Sequence, residues 1–397
     1  MPRVPRREGE DDVNETTPQK LDAARTHDVD ARPARQLRVL AFVSKRLGLS
    51  PGQRFRIEQW APYARELGVD VDFVPFESPR LTEILYEPGR RVAKASWVLW
   101  DFFRRAEHVA RARRYDAAFV FREVALLGPA LYERVLARLK VPFVFDFDDA
   151  IWMTDTKLSK ANGIFSKLHF HGKTSTICRL ASAVTVGNEF LASYARQRSS
   201  NVFVLPTSID LATYPVQPAL KYDDPFVVTW SGSVHTLYNF EAAREPLEKL
   251  ARRRRIRVRV ICNRPPDRPI AHAENEFIPW QEAGEAEAIG ATHVGIMPLQ
   301  DEPFMHGKCG LKALQFMATG RPVVVSPVGM NKDLVQSGQN GFLAGTTDEW
   351  VDALERLADS PELRERLGLA GRATVEKTFA GSVVARKFVD VVRRIVE

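Results

Sequence analysis

The chain has 397 residues, 45% hydrophobic and 27% charged, with a formal net charge of +7. That length exceeds one ordinary core and predicts two domains of ~150–200 residues each. No apolar run reaches the ~20 residues that span a bilayer, residues 1–36 lack the apolar segment of a signal peptide, and Cys178, Cys262 and Cys309 are too scattered for a disulfide framework or a zinc site, which fits a reducing cytoplasm.

Residues 1–36 are polar, aperiodic and nearly neutral, and read as a disordered tail. The rest of the chain therefore carries the basic excess, which suggests acidic partners such as nucleotides or anionic lipids. Its aromatics do not interleave with its basic runs, so a nucleic-acid partner is not expected. Order starts at Leu37. The run 37–43 is a buried strand, followed by a loop with Ser50-Pro51-Gly52 and a helix over 54–67 that Gly68 ends. Further strands are expected at 69–74, 117–121, 142–147, 183–186 and 202–206. Tyr214 to Pro218 reads as a linker. A second series follows at 226–232, 256–262, 276–280, 294–299, 322–326 and 341–344, and a helix over 381–396 closes the chain. Strands alternating with helices predict an α/β fold with two Rossmann-like, doubly wound parallel sheets facing across a cleft. The expected division is 37–216, 217–380 and a closing segment 381–397 that crosses back to the first domain.

Residues 90–114 hold eight basic residues against Asp101 and Glu107, three before and five after a block with Trp97, Trp100, Phe102 and Phe103. Two readings stand: a helix packed on the sheet, or a helix lying on an anionic membrane surface. Arg252 to Arg255, with Arg257 and Arg259 alternating with apolar residues, read as a solvated sheet edge.

The densest chemistry runs from His306 to Gly345. Lys308 and Lys312 are one helical turn apart, so a helix would place both ammonium groups on one face. The buried strand after it ends in Ser326-Pro327-Val328-Gly329, a glycine turn that leaves backbone N–H groups at a strand's carboxyl end. Together these suggest a phosphate-bearing ligand, with a solvated lysine face as the other reading. Asp146, Asp148 and Asp149 end the fourth strand, where alternation puts Asp146 and Asp148 on one side. They read as acceptor-orienting or basic groups, as oxygen ligands for a divalent cation, or as a cap and an ion pair with Arg122. Arg54 and Arg56 follow the first strand's loop and would meet an anionic acceptor or a diphosphate. His235 and His306 stand alone. His169 and His171 sit two apart with no further ligand spacing, so no metal is assigned.

An ordered set of motifs resembles the nucleotide-sugar glycosyltransferases of the GT-B fold, family 4-like. These are Arg122-Glu123 and Asp146 to Trp152 in the first half. In the second they are Trp230-Ser231-Gly232-Ser233, Gly295 to Leu299, Gly307 to Lys312, Gln315 to Ala318 and Ser326 to Gly329. The likeness covers roughly residues 37–380. It implies a transferase, retaining and metal-independent, that needs no cofactor beyond its nucleotide-diphospho sugar donor. The acceptor would be a glycan, a lipid-linked sugar or a small molecule in cell-surface polysaccharide or glycoconjugate synthesis. The cysteine usage adds a cytoplasmic setting, and the membrane reading of residues 90–114 would add peripheral contact to an anionic membrane, where a lipid-linked acceptor lies. Gly307 and Gln315 stand where the family usually carries two glutamates, which leaves a degenerate binding subunit as the alternative. Ser233 and Asn239 stand where the family usually carries an arginine and a lysine, so Lys308 and Lys312 are assigned to the diphosphate as replacement charges, Gly232 and Ser233 would bring amides to it, and His235 stands close by. Gln315 meets the ribose, and Gly329 and Asn331 line the sugar side. Asp148 and Asp149 face the acceptor with Arg54, Arg56, Arg122 and Glu123 around them.

Overall fold

Near-continuous apolar runs build two parallel sheets of six strands, as expected of strands covered by helices on both faces. The computed structural model describes residues 35–85, 87, 89–126, 128–153, 172–220 and 224–397. The tail expected to be disordered, save its last two residues, and His169 and His171 lie outside these. The first sheet comprises β1 (Leu37–Val43), β2 (Val69–Pro75), β3 (Ala117–Phe121), β4 (Phe143–Phe147), β5 (Ala183–Val186) and β6 (Val202–Val204), in the order β2-β1-β3-β4-β5-β6. The second comprises β7 (Phe226–Ser231), β8 (Ile256–Cys262), β9 (Glu274–Pro279), β10 (Val294–Met297), β11 (Val323–Val325) and β12 (Phe342–Leu343), in the order β12-β11-β10-β7-β8-β9. Every residue of β3, β4, β5 and β7 is buried.

Each sheet reverses its strand order once, between β1 and β3 in the first and between β7 and β10 in the second. At such a reversal the loops leave in opposite directions and open a crevice at the strands' carboxyl ends, where ligands of α/β sheets bind. The helix Gly381–Val396 packs Val384, Phe388 and Val392 into the core of the first sheet. There Phe388 meets Trp60, with ring centroids 4.3 Å apart. Among the described residues no helix is long and apolar enough to cross a membrane.

Three expectations need correction. The helix over 54–67 is broken. Pro51–Gln53 is one helical turn, Arg54–Glu58 is a wider π turn in which Gln59 N–H donates to Arg54 O, and Ala61–Glu66 is a separate helix with Pro62 in its first turn. Proline has no N–H to continue the ladder. The arginine-bearing β8 is interior, not an edge. Arg257 and Arg259 reach across to Glu274 and Glu276 of β9 at 2.8 and 2.9 Å, so their charge is spent within the sheet. Lys308 and Lys312 do not share a helix. Residues Pro303–Gly307 form a 3-10 turn, Lys308 is extended, Gly310 takes a left-handed φ of 70°, and the helix runs only over Leu311–Ala318.

Candidate functional site

The carboxyl ends of the two sheets enclose a cleft of about 510 Å³. The first half supplies Pro51, Gly52 and Phe55 after β1, Arg122 after β3, and Asp148 and Asp149 after β4. The second supplies Gly232 to Thr236 after β7, Asn263 after β8 and Trp280 after β9, with Lys308 to Lys312 closing the wall. Both lysines thus line one cleft although they sit on different backbone elements.

Below Lys312 lies a buried polar network. Glu285 Oε1 accepts from Trp280 Nε1 at 2.9 Å and from Gln315 Nε2 at 3.0 Å. Its Oε2 accepts from Tyr214 OH at 2.6 Å and from the Arg54 guanidinium. Gln315 Oε1 in turn accepts from Lys312 Nζ at 3.0 Å. Burial opposes ionisation of Glu285, but the Lys312 and Arg54 charges outweigh it and hold its carboxyl at about 2. The same burial lowers the Lys312 ammonium below the ordinary lysine range, with Glu285 offsetting part of it. This lysine faces the cleft with a neutral amide as its hydrogen-bond partner and its charge incompletely compensated.

The depressed Glu285 carboxyl has a consequence for acid stability. Its folded value lies below the ordinary 4.5, so its contribution is present above pH 4.5 and is lost as pH falls towards 2. The size is about 3 kcal/mol at 1.36 kcal/mol per pH unit. Glu285→Gln should therefore be less stable than wild type at pH 7, with the gap narrowing between pH 4.5 and 2. Urea unfolding across that range measures it, and a constant gap would refute the assignment.

The opposite wall is charged but internally neutralised. Arg122, at a left-handed φ of 62°, holds Asp148 at 2.7 Å and Asp149 at 2.9 Å. Lys308 Nζ reaches across from the second half to Asp149 at 2.8 Å. Burial would raise the Asp149 carboxyl, but Lys308 and then Arg122 hold it below the usual range. Among the described residues no group of three or more His, Cys, Asp or Glu is placed to hold a metal ion.

Several residues singled out in the sequence fall elsewhere. Arg56 is 1% exposed and holds Asp146, which is 0% exposed, at 2.5 Å, so neither faces the cleft. Strand β4 ends at Phe147, which breaks the alternation that would have placed Asp146 beside Asp148. Arg54 is buried against Glu285 and Glu282, so it ties the two halves together instead of meeting an acceptor. Glu123 pairs with Lys173 at 2.9 Å. Gln315 is fully buried in the network and has no surface for a ribose. Asn331 is buried, with Nδ2 donating to Ser326 O at 3.0 Å. Gly329, with φ of 54°, backs onto the His306 carbonyl, where a Cβ would sit 2.9 Å away. The amides expected from Gly232 and Ser233 are engaged: Gly232 N–H donates to Ile261 O and Ser233 N–H to Thr236 Oγ1. The turn that follows starts at Val234, and as its first amides Val234 and His235 have no carbonyl behind them within it. His235 lines the cleft, whereas His306 pairs with Asp301 at 2.7 Å.

Gly307 explains its own lack of a side chain. A Cβ there would lie 2.8 Å from Ala150 N and 3.0 Å from Ala150 Cβ, so the first half's chain fills the space. Nearby, Asn188 Nδ2 donates to the carbonyls of His306 and Lys308, which fixes this backbone against the first half. Asn239, which stands where the family carries a basic residue, lines the cleft with a buried Oδ1 that has no hydrogen-bond partner among the described residues, whereas sequence reasoning missed Asn263 and Trp280. The position of Asn263 and Trp280 just beyond the ends of β8 and β9 was the available signal.

The family model for "Glycosyl transferases group 1" matches residues 225–360. That region of the chain is thus similar to a group 1 glycosyltransferase domain. A D-inositol 3-phosphate glycosyltransferase of Nocardioides is 37% identical over 122 residues, 30% of this chain and 25% of that protein. An alpha-D-kanosaminyltransferase of Streptomyces kanamyceticus is 34% identical over 128 residues, 32% of this chain and 28% of that protein. The chain thus spans about a quarter of the length of the curated relatives it matches. Sucrose-phosphate synthase of Thermosynechococcus elongatus superposes with a TM-score of 0.64 at 18% identity, covering 91% of this chain and 99% of its own. HepE of Anabaena, in complex with UDP and glucose, gives 0.61 at 13% identity, covering 90% and 99%. The matched region and the sheet that precedes it together adopt the GT-B fold of these structures.

Proposed function

We propose that the protein transfers a sugar from a nucleotide-diphospho sugar to a hydroxyl-bearing acceptor. The observation that carries this reading is Lys312, an incompletely compensated ammonium in the wall of the cleft between the two sheets. Breaking the anomeric C–O bond of such a donor sends negative charge onto the leaving diphosphate. A preorganised cation in a water-poor site stabilises that charge far more than it does in water. Lys308 adds a second cation, released from Asp149 as a diphosphate oxygen replaces the carboxylate. Asn263 and Trp280, on the same wall, receive the nucleoside.

Asp148 and Asp149 face the acceptor side with Arg122. Asp149 is held in its charged form by two cations, which makes it a weak base, so its role is to orient the acceptor. A leaving diphosphate oxygen is then the base that takes the acceptor's proton, which places attack on the face of departure and predicts retention. No metal is required in this scheme. The acceptor is a glycan, a lipid-linked sugar or a small metabolite. A reducing cytoplasmic setting belongs to the same reading, supported by three buried, unpaired cysteines.

The test is a panel of nucleoside-diphospho sugars, scored for donor hydrolysis and for transfer to added acceptors. One donor should turn over, activity should survive chelator, and the anomeric configuration should be kept. Tight donor binding with no turnover under any acceptor would instead establish a binding subunit.

A further inference from the structure

The helix Arg91–Arg111 divides its aromatics between two faces. Its inner face is fixed to the first sheet. Trp97, Val98 and Phe102 pack on the core, and Asp101, Arg105 and Val109 are buried. Asp101 accepts from Ser78 N–H at 2.9 Å, and Arg105 donates to the Val74 and Val43 carbonyls at 2.6 and 3.0 Å. The outer face leaves Val92 84%, Leu99 54%, Trp100 61% and Phe103 63% exposed. Positions i, i+7, i+8 and i+11 share one side of a helix. Ala95, Ser96, Ala106 and Ala110, all exposed, fill the gaps between them. The stripe runs about 27 Å at 1.5 Å per residue. Glu107 is the one acidic residue on it.

Soluble surfaces scatter single apolar residues, whereas a contiguous apolar stripe with two exposed aromatic rings marks an interaction face. The charge at its ends indicates the partner. Arg90, paired with Glu87 at 3.3 Å, and Arg91 precede the stripe, and Arg111, Arg113 and Arg114, all exposed, follow it. We infer that this face docks the protein on an anionic lipid surface, with Trp100 and Phe103 entering the interfacial layer and the terminal arginines meeting the headgroups. A second copy of the chain fits less well. Antiparallel or parallel, the pairing sets the arginines of one helix end against arginines of the other copy, which is repulsive. This inference does not depend on the glycosyl-transfer reading and is read out without any sugar donor.

The experiment is sedimentation of the full chain with vesicles of phosphatidylcholine alone and of phosphatidylcholine with phosphatidylglycerol. Binding is expected only to the anionic vesicles, with a blue shift of tryptophan emission and a loss of binding as salt screens the headgroups. Trp100→Ser with Phe103→Ser should weaken binding at least about tenfold. Their exposure makes a folding defect unexpected, and an unchanged melting temperature checks this. Arg111→Glu with Arg113→Glu should remove the preference for anionic lipid. Absence of binding to the anionic vesicles, or binding that the serine pair leaves intact, overturns the inference. So does a concentration-dependent dimer that the serine pair dissolves, because the stripe would then be a protein interface.

Discussion

Lys312→Met should lower kcat/KM for donor turnover by about 100- to 1,000-fold, the usual cost of removing one preorganised group that meets developing charge. The choice of lysine matters. Lys308 is already paired with Asp149 at 2.8 Å, so part of its interaction with a diphosphate is offset by breaking that pair. Lys312 instead hydrogen-bonds the neutral Gln315 oxygen, and Glu285 lies one residue further back in the network. Its ammonium has been taken out of water without a direct counter-ion, and a diphosphate would complete the site. The loss should therefore be larger at 312 than at 308.

The pH dependence separates charge from shape. Burial lowers the Lys312 ammonium from its ordinary 10.5, so the free protein loses this charge at a lower pH than an exposed lysine does. Donor affinity should weaken as pH rises through that lowered value, and the methionine variant should lack the inflection. Calorimetric titration with the nucleoside diphosphate across pH 7 to 10 reads this directly. Methionine keeps most of the volume but removes the charge that does most to hold Glu285 ionised, so part of that carboxylate's stabilisation at pH 7 is lost with it, and the melting temperature is read beside the affinity. A variant with unchanged affinity, or one that binds poorly only because it melts early, would overturn the diphosphate assignment.

The two sheets could be read almost strand by strand, because buried parallel strands are near-continuous apolar runs bounded by turns. The end of β4 and the start of the lysine helix could not. Both depend on single backbone choices, the stop after Phe147 and the left-handed Gly310, that periodicity does not encode. The roles assigned to polar residues were least legible. Arg54, Arg56 and Gln315 have the composition of a ligand site, but each is satisfied by a partner far away in sequence: Glu285, Asp146 and Tyr214. Tertiary pairing decides whether a charge is available to a ligand, and a sequence does not show the partner. The aromatic helix shows the same limit in milder form. Trp97 and Phe102 turn inward, as the packed-helix reading of residues 90–114 expects, while Trp100 and Phe103 turn outward and leave the face on which the proposed lipid docking rests.

Arg56→Leu is expected to cost about 3–5 kcal/mol, because it leaves a fully buried carboxylate without its cation. Among the described residues Asp146 has only Thr185 Oγ1, at 2.6 Å, as a further side-chain partner, and Arg56 also carries the Leu205 carbonyl, which would lose that donor. For a chain of this size that loss corresponds to a fall in melting temperature of roughly 4–6 °C. The cost should depend on pH. Burial already pushes the Asp146 carboxyl above its ordinary range despite Arg56, and without the guanidinium it rises further and takes a proton. The fold then favours the neutral form, so the variant keeps most stability near pH 4 and loses it as pH rises towards 8. Scanning calorimetry at those two values, compared with wild type, measures the difference. Adding Asp146→Leu should recover much of the loss, since an apolar pair of similar volume removes both desolvation penalties. A double variant no more stable than Arg56→Leu would mean that the pair is not the isolated buried unit its geometry indicates.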